Sequence, residues 1–380
     1  MPAFHQMGHD SWNLVGEDAL SAFRGIVLSP VNNGPDEVVE KLNALGARAR
    51  QLDIVLDPQF YKPKSDRGSL PQWAHVTSDF ETADLGDVGW WEERCRKLLL
   101  EGQRVGATSI ASPAVIPRTF DPAYYDWVVN CADMLHQKAD PQNISTLVTT
   151  IVYLPEIGLP GVAERIASIV TRTRVDRVYL VFYDDLQPRV QRTDIDALAG
   201  AITLIRALEF AGSRVLVAFS GLDMLLWKSA GATDVATGKF FNLRRFVPGR
   251  WDDPAEGGRV LPYWTDDEFA TWLREDDVRL LLRIGLIDPT RADANPYSRE
   301  ILALLGTHSG DAWVRLGWRQ YMYWFVQRES DMASGITTAQ AILTHADRRW
   351  AALEQSGAFL FERANNGEWV RAWLNALLLS

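Results

Sequence analysis

Two cysteines in 380 residues, Cys95 and Cys131, leave neither a disulfide framework nor a four-cysteine zinc site. Both fall in helix-like stretches, which points to a reducing compartment. No apolar run approaches the ~20 residues that span a bilayer, and the opening MPAFHQMGHDSWN lacks the basic start and apolar core of a secretory signal. A soluble, cytoplasmic protein without membrane contact is expected. Positive charge is also scarce: 39 Lys and Arg stand against 49 Asp and Glu, a net charge of −10. Binding to a phosphate backbone draws on many cations, so a wholly basic nucleic-acid surface is excluded, although a local groove is not. The GxGxxG, GxxxxGK, HExxH and GxSxG signatures are all missing, which removes the common nucleotide-binding, zinc-protease and serine-hydrolase readings. His5 and His9 have the spacing of a helical metal pair but no third ligand nearby. No metal and no cofactor is predicted.

What is present is a chain 47% apolar in which short apolar strands alternate with amphipathic helices. Ile26 to Ser29 is the first strand, and Pro35 at a first helical position opens a helix with Val38, Val39, Leu42 and Leu45 on one face. Leu52 to Leu56 follows, then a polar excursion to about Asp87 and a helix from Trp90 to Glu101. So long a connection is usually functional, and with His75 inside it a lid over the substrate is expected. The third strand, Thr108 to Ala111, precedes a helix capped by Asp121 before Pro122. Thr146 to Val152 and Arg177 to Phe182 come next, the latter followed by a helix that Thr193 should cap, with Asp196 three residues on. Val215 to Phe219 and Ala232 to Thr237 are the sixth and seventh strands. An eighth is placed at Val260 to Trp264, where Thr265 and Glu268 form a capping box for a helix from Asp267 to Glu275.

Repeated units of this kind imply a parallel sheet covered on both faces, and their number favours a closed (β/α)8 TIM-like barrel with a C-terminal all-helical extension. The expected layout is an N-terminal segment over 1–23, the barrel over 24–279 and a helical region over 280–380 packed on it. That region carries Asp311 to Met332, with Trp313, Trp318, Tyr321, Trp324 and Phe325, then Thr338 to Gln355 and Glu368 to Leu378. These aromatic helices should pack on the barrel, with a protein partner, a homo-oligomer or a carbohydrate as the other use of the surface.

Chemistry in such a barrel sits at the carboxyl ends of its strands. The catalytic candidates there are Asp57, Asp184, Asp185 and Glu156, since carboxylates at strand ends can divide nucleophile, acid and base roles when their environments separate their pKa values. Asp57 is the sharpest: it follows LDIVL and precedes Pro58, which delays any helix start and leaves the carboxylate near the barrel axis. Substrate-binding candidates are Gln59, Tyr61, Ser112, Arg118, Ser220 and Asp223. To these the run from Lys239 to Arg250 adds Lys239, Asn242, Arg244, Arg245 and Arg250. It contains no acid, and a basic loop behind a late strand is where a barrel tends to hold an anion, unless its arginines pair with Asp252, Asp253 or Glu256.

The strand ending VLDPQFY, the ASPAVIP segment, and VAFSGLD with GATDVATGKFFNLRR together resemble the barrel of tRNA-guanine transglycosylases and their DNA-acting cousins, over roughly residues 24 to 250. The resemblance implies that Asp57 recognises a base and that a second aspartate, Asp184, is a covalent nucleophile. Pro58-Gln59-Phe60 replaces the family's usual Ser-Gly-Gly, and its cysteine zinc motif is absent. The reading is a barrel enzyme on a phosphorylated, nucleotide or nucleic-acid-like substrate, with glycosidic transfer or cleavage as its chemistry. Two alternatives stand beside it. One is a glycoside hydrolase, favoured by fifteen tryptophans but with only Glu156 as a strand-end glutamate. The other is a non-catalytic scaffold.

Overall fold

The computed structural model describes residues 3–253, 260–305 and 310–380. Eight parallel strands close into a barrel in sequence order: β1 (Ala3–Gln6), β2 (Gly25–Leu28), β3 (Asp53–Leu56), β4 (Ser109–Ala111), β5 (Ser145–Tyr153), β6 (Arg177–Tyr183), β7 (Arg214–Ala218) and β8 (Asp234–Thr237). Helices α1 (Pro35–Leu45), α2 (Val88–Arg104), α3 (Pro122–Ala139), α4 (Val162–Val170), α5 (Ile195–Phe210) and the short α6 (Met224–Ser229) lie between strands, as a (β/α)8 barrel requires. Their starts follow capping chemistry: Asp121 accepts from the Tyr124 amide at 3.0 Å and opens α3. At α5 the cap is Asp194, accepting from Ala197 N at 3.0 Å, not Thr193.

Two further expectations are corrected. The strand that closes the barrel is not Val260 to Trp264 but β1, paired to β8 through Phe4↔Ala236 and to β2 through His5↔Ile26. His5 is therefore on a strand, and its helical spacing to His9 does not arise. The Thr265/Glu268 box starts no helix. Asp266 Oδ1 instead takes the amides of Glu268 at 3.0 Å and Phe269 at 2.8 Å, turning the chain into an antiparallel hairpin of β9 (Trp264–Asp266) and β10 (Thr271–Leu273).

After the hairpin come α7 (Glu275–Arg283), α8 (Ser298–Leu305), α9 (Val314–Ala333), α10 (Ala339–Gln355) and α11 (Glu368–Leu379). Their apolar faces join the outer barrel helices in one continuous core, in which Leu198 and Ile202 of α5 share a cluster with Val370 and Trp373. The aromatic face of α9 packs on the barrel, and the Tyr321 hydroxyl meets Thr237 Oγ1 of β8 at 2.6 Å. The amino-terminal end of the barrel is closed by polar bonds: Arg177 reaches Asp53 at 3.0 Å and Ser109 at 2.7 Å. No helix among the described residues is long and apolar enough to cross a membrane.

Candidate functional site

Asp57 ends β3 with its carboxylate turned into the barrel. Pro58 keeps it out of a helix turn, and Gln59, at φ 53°, bends the chain so that its amide returns to Asp57 Oδ1 at 2.9 Å. Tyr61 donates to the two carboxylate oxygens at 3.1 and 3.0 Å, and Tyr179, across the barrel on β6, lies 3.2 Å from Oδ2. The Tyr179 oxygen is also 3.3 Å from the side-chain amide of Gln6 on β1. A phenol carries one proton, so Tyr179 serves Asp57 when the Gln6 amide donates to it rather than accepts. Asp57 is 1% exposed. Burial pushes its pKa up to about 6, although the Gln59 amide, the two tyrosines and the nearby Arg250 charge pull the other way. A carboxyl group with that value can give or take a proton near neutral pH.

Above Asp57 the barrel is plugged by rings. Tyr61 meets Phe246 and Trp251 at centroid distances of 4.9 and 4.7 Å, and Phe219 meets Phe246 at 5.3 Å. Over this plug, at the carboxyl ends of the strands, lies a cavity of about 890 Å³. Its lining includes His9 after β1, Asn32 after β2, Arg67 after β3, Arg189 after β6, and Asn242 and Arg250 after β8. Arg250 links the two levels: it lines the cavity, donates to Ser29 Oγ at 3.1 Å and to Asn32 Oδ1, and acts on Asp57 through its charge. Gln59 belongs to the same network, accepting from Val31 N at 2.9 Å and donating to Ser29 Oγ at 3.2 Å.

The rest of the basic run faces elsewhere. Lys239 donates to the Asp10 carbonyl at 2.9 Å and sits over the rings of Phe240 and Trp318. Arg244 donates to the carbonyls of Gly238 and Lys239 at 3.1 and 2.8 Å with its guanidinium over Tyr321, and Arg245 reaches the Gln187 carbonyl at 3.1 Å. These buried cations hold the loop together and do not meet the cavity. Of the acids weighed as their partners, Asp252 pairs with Lys62 at 2.5 Å, and Glu256 lies outside the described residues.

Asp184 is engaged as well. Arg192 Nε contacts it at 2.6 Å while Arg192 Nη1 holds Asp223, and Arg245 stands 3.8 Å from Asp184. The arginines keep the Asp184 carboxyl below its ordinary value despite its burial, whereas burial raises that of Asp223. Both are buried members of a charge network, and neither is part of the mouth-cavity lining. Asp185 is exposed and takes the hydroxyls of Tyr153 at 2.7 Å and Tyr183 at 3.0 Å. Glu156 and Arg118 are exposed on the surface. Ser112 supports Thr149 N at 3.0 Å, and Ser220 donates to the Val217 carbonyl at 3.0 Å, so both are spent on backbone. The excursion after β3 divides. Trp73 Nε1 donates to the Asn33 carbonyl at 3.0 Å, and His75 is buried with Nε2 3.0 Å from the Pro58 carbonyl, leaving only the part around Arg67 to Ser69 at the cavity.

No protein-family model matches the chain, and no curated protein is similar to it. Solved structures with a similar fold include an aldolase, 14% identical over 62% of this chain and 89% of that one at a TM-score of 0.36. A family 2 AP endonuclease from Brucella melitensis is 14% identical over 66% of this chain and 96% of that one, TM-score 0.37. A family 18 chitinase from Pseudoalteromonas aurantia is 8% identical over 64% of this chain and 95% of that one, TM-score 0.38. Likenesses this distant say nothing of chemistry. None of these three is a tRNA-guanine transglycosylase, and what remains of that resemblance is the barrel.

Proposed function

We propose that this chain is a barrel enzyme that takes a sugar- or phosphate-bearing substrate at the mouth cavity and uses Asp57 as its general acid and base. The observation that carries the reading is a buried carboxyl group with a pKa near 6, held by Tyr61 and Tyr179 under a large cavity at the carboxyl ends of the strands. The chemistry that fits is transfer or cleavage at a glycosidic carbon. Protonated Asp57 gives its proton to the leaving atom as the bond to the sugar carbon breaks and the electron pair departs with the leaving group. Water or another acceptor then bonds to that carbon and returns a proton to Asp57. Asp184 has no nucleophilic part in this proposal, because Arg192 holds its Oδ2 and the Leu186 amide its Oδ1. The ring plug must shift for Asp57 to meet substrate.

Nucleoside monophosphates and aryl glycosides, followed by chromatography of the released base or phenol between pH 5 and 8, test it. Release should fall as pH rises through about 6 and be lost in Asp57→Asn, by 10²-fold or more. Release unchanged in Asp57→Asn would overturn the role of Asp57. A second reading, a ligand-binding barrel without turnover, draws on the seal of rings that leaves Asp57 1% exposed, and it predicts binding with no product from any of these compounds.

A further inference from the structure

Arg67 and Arg250 come from loops nearly two hundred residues apart, yet both line the mouth cavity, and the positive charge of Arg67 acts on Arg250. Among the described residues, no carboxylate lies within ion-pair distance of either guanidinium. The Nε of each is buried without a hydrogen-bond partner, as is Asn242 Oδ1 on the same wall. Two guanidinium groups brought together, with only the buried Asp57 acting on Arg250 as an opposite charge, raise the energy of the folded chain, and buried N–H donors left unpaired raise it further. The backbone enforces the arrangement. Gly68, at φ +60°, packs so closely on the Val31 carbonyl that a Cβ there would sit 2.1 Å from its oxygen, and Ser69 N bonds the same carbonyl at 3.1 Å. Arg67 is thereby fixed beside the loop that follows β2, where Asn32 accepts from Arg250.

We propose that Arg67 and Arg250 form an anion clamp in the mouth cavity and that its ligand is a phosphate monoester carried by the substrate. The forked donors of two arginines match the oxygens of a phosphate dianion, and a neutral sugar would bring no charge to set against that of Arg67. This rests on the mouth cavity being the substrate site and narrows the substrate class to phosphorylated molecules.

Calorimetry with inorganic phosphate, then with ribose 5-phosphate against ribose, tests the clamp. Phosphate and the sugar phosphate should bind, ribose should not, and Arg67→Gln should weaken the phosphate-bearing ligands tenfold or more. Without ligand, Arg67→Gln should melt no lower than the parent, since it removes a like charge, and added phosphate should raise the melting temperature of the parent only. Arg67→Glu is the second variant and should abolish phosphate binding while the circular dichroism spectrum stays native. Equal phosphate affinity in the parent and Arg67→Gln, or ribose bound as well as its phosphate, overturns the proposal. Asp57→Asn separates it from the catalytic reading: phosphate binding that survives with turnover lost supports both, and phosphate binding by a parent that turns nothing over sinks only the catalysis.

Discussion

A buried carboxylate whose pKa is raised has a pH signature of definite sign. The folded chain holds the Asp57 proton more tightly than the unfolded one, so its stabilising contribution is complete at low pH and is lost as pH rises from the ordinary carboxylate range through about 6. The rise is worth ~3 kcal/mol at most. His5 and His75 act in the opposite direction. Burial lowers them to about 3 and about 4, so their contribution is present above their ordinary pKa and lost on acidification. The raw stability curve mixes the two, and the difference between the parent and Asp57→Asn isolates Asp57. At pH 8 the variant should be as stable as the parent or more so, and at pH 4.5 that advantage should vanish, which denaturant titration at the two pH values reads directly. A loss of several kcal/mol at pH 8 would mean that the ionised carboxylate is a structural partner of Tyr61 and Tyr179.

At the scale of elements, the loop after β3 has two halves of different character. Around Trp73, His75 and Phe80 it is a packed layer, with Phe80 edge-on to Phe60 at 6.3 Å and to Trp90 at 5.5 Å, while Arg67 to Ser69 lies at the cavity. Chymotrypsin should therefore spare Trp73 and Phe80 in the native protein. Trypsin should cut after Lys64 or Arg67 and be slowed several-fold by phosphate; cleavage at Arg67 indifferent to phosphate would separate the loop from ligand binding. The same contrast shows what was legible in the sequence. Seven strands announced themselves as apolar runs because parallel strands are covered on both faces. The four residues of β1 did not, since His5 and Gln6 make half of a strand whose neighbours lie elsewhere in the sequence. The β9–β10 hairpin carries a true capping pattern, but Asp266 takes the amides that the helix would have used. Asp57 could be found from its place at a strand end. The basic run could not be sorted, because charge along a sequence does not say which carbonyl or ring a guanidinium will meet. Arg67 had no signal beyond lying in a long loop.

For the molecule as a whole, the helices after the hairpin are part of the barrel's own stability. Trp373 of α11 donates to the Arg192 carbonyl at 2.8 Å, and Arg192 is the cation that holds Asp184 and Asp223 together. Removing α11 uncovers Val370 and Trp373's partners on α5 and loosens the support of that buried network at once. A chain ending at residue 366 should unfold in one transition at least 10 °C below the parent or fail to accumulate as folded protein, since losing several large buried side chains costs several kcal/mol. Arg192→Met should be destabilising by ~3–5 kcal/mol because two buried carboxylates lose their partner. Calorimetry would read both, and two separate transitions in the parent would contradict a shared core.

The place of β1 between β2 and β8 has a consequence for how the chain is made. Its first strand leaves the ribosome with one permanent neighbour following about twenty residues behind, and the other, β8, more than two hundred residues later. Until β8 emerges, the growing sheet keeps two open edges that invite pairing with other nascent chains. Closure waits for nearly the whole barrel to be synthesised, so slower translation prolongs the period in which chaperones must shield those edges.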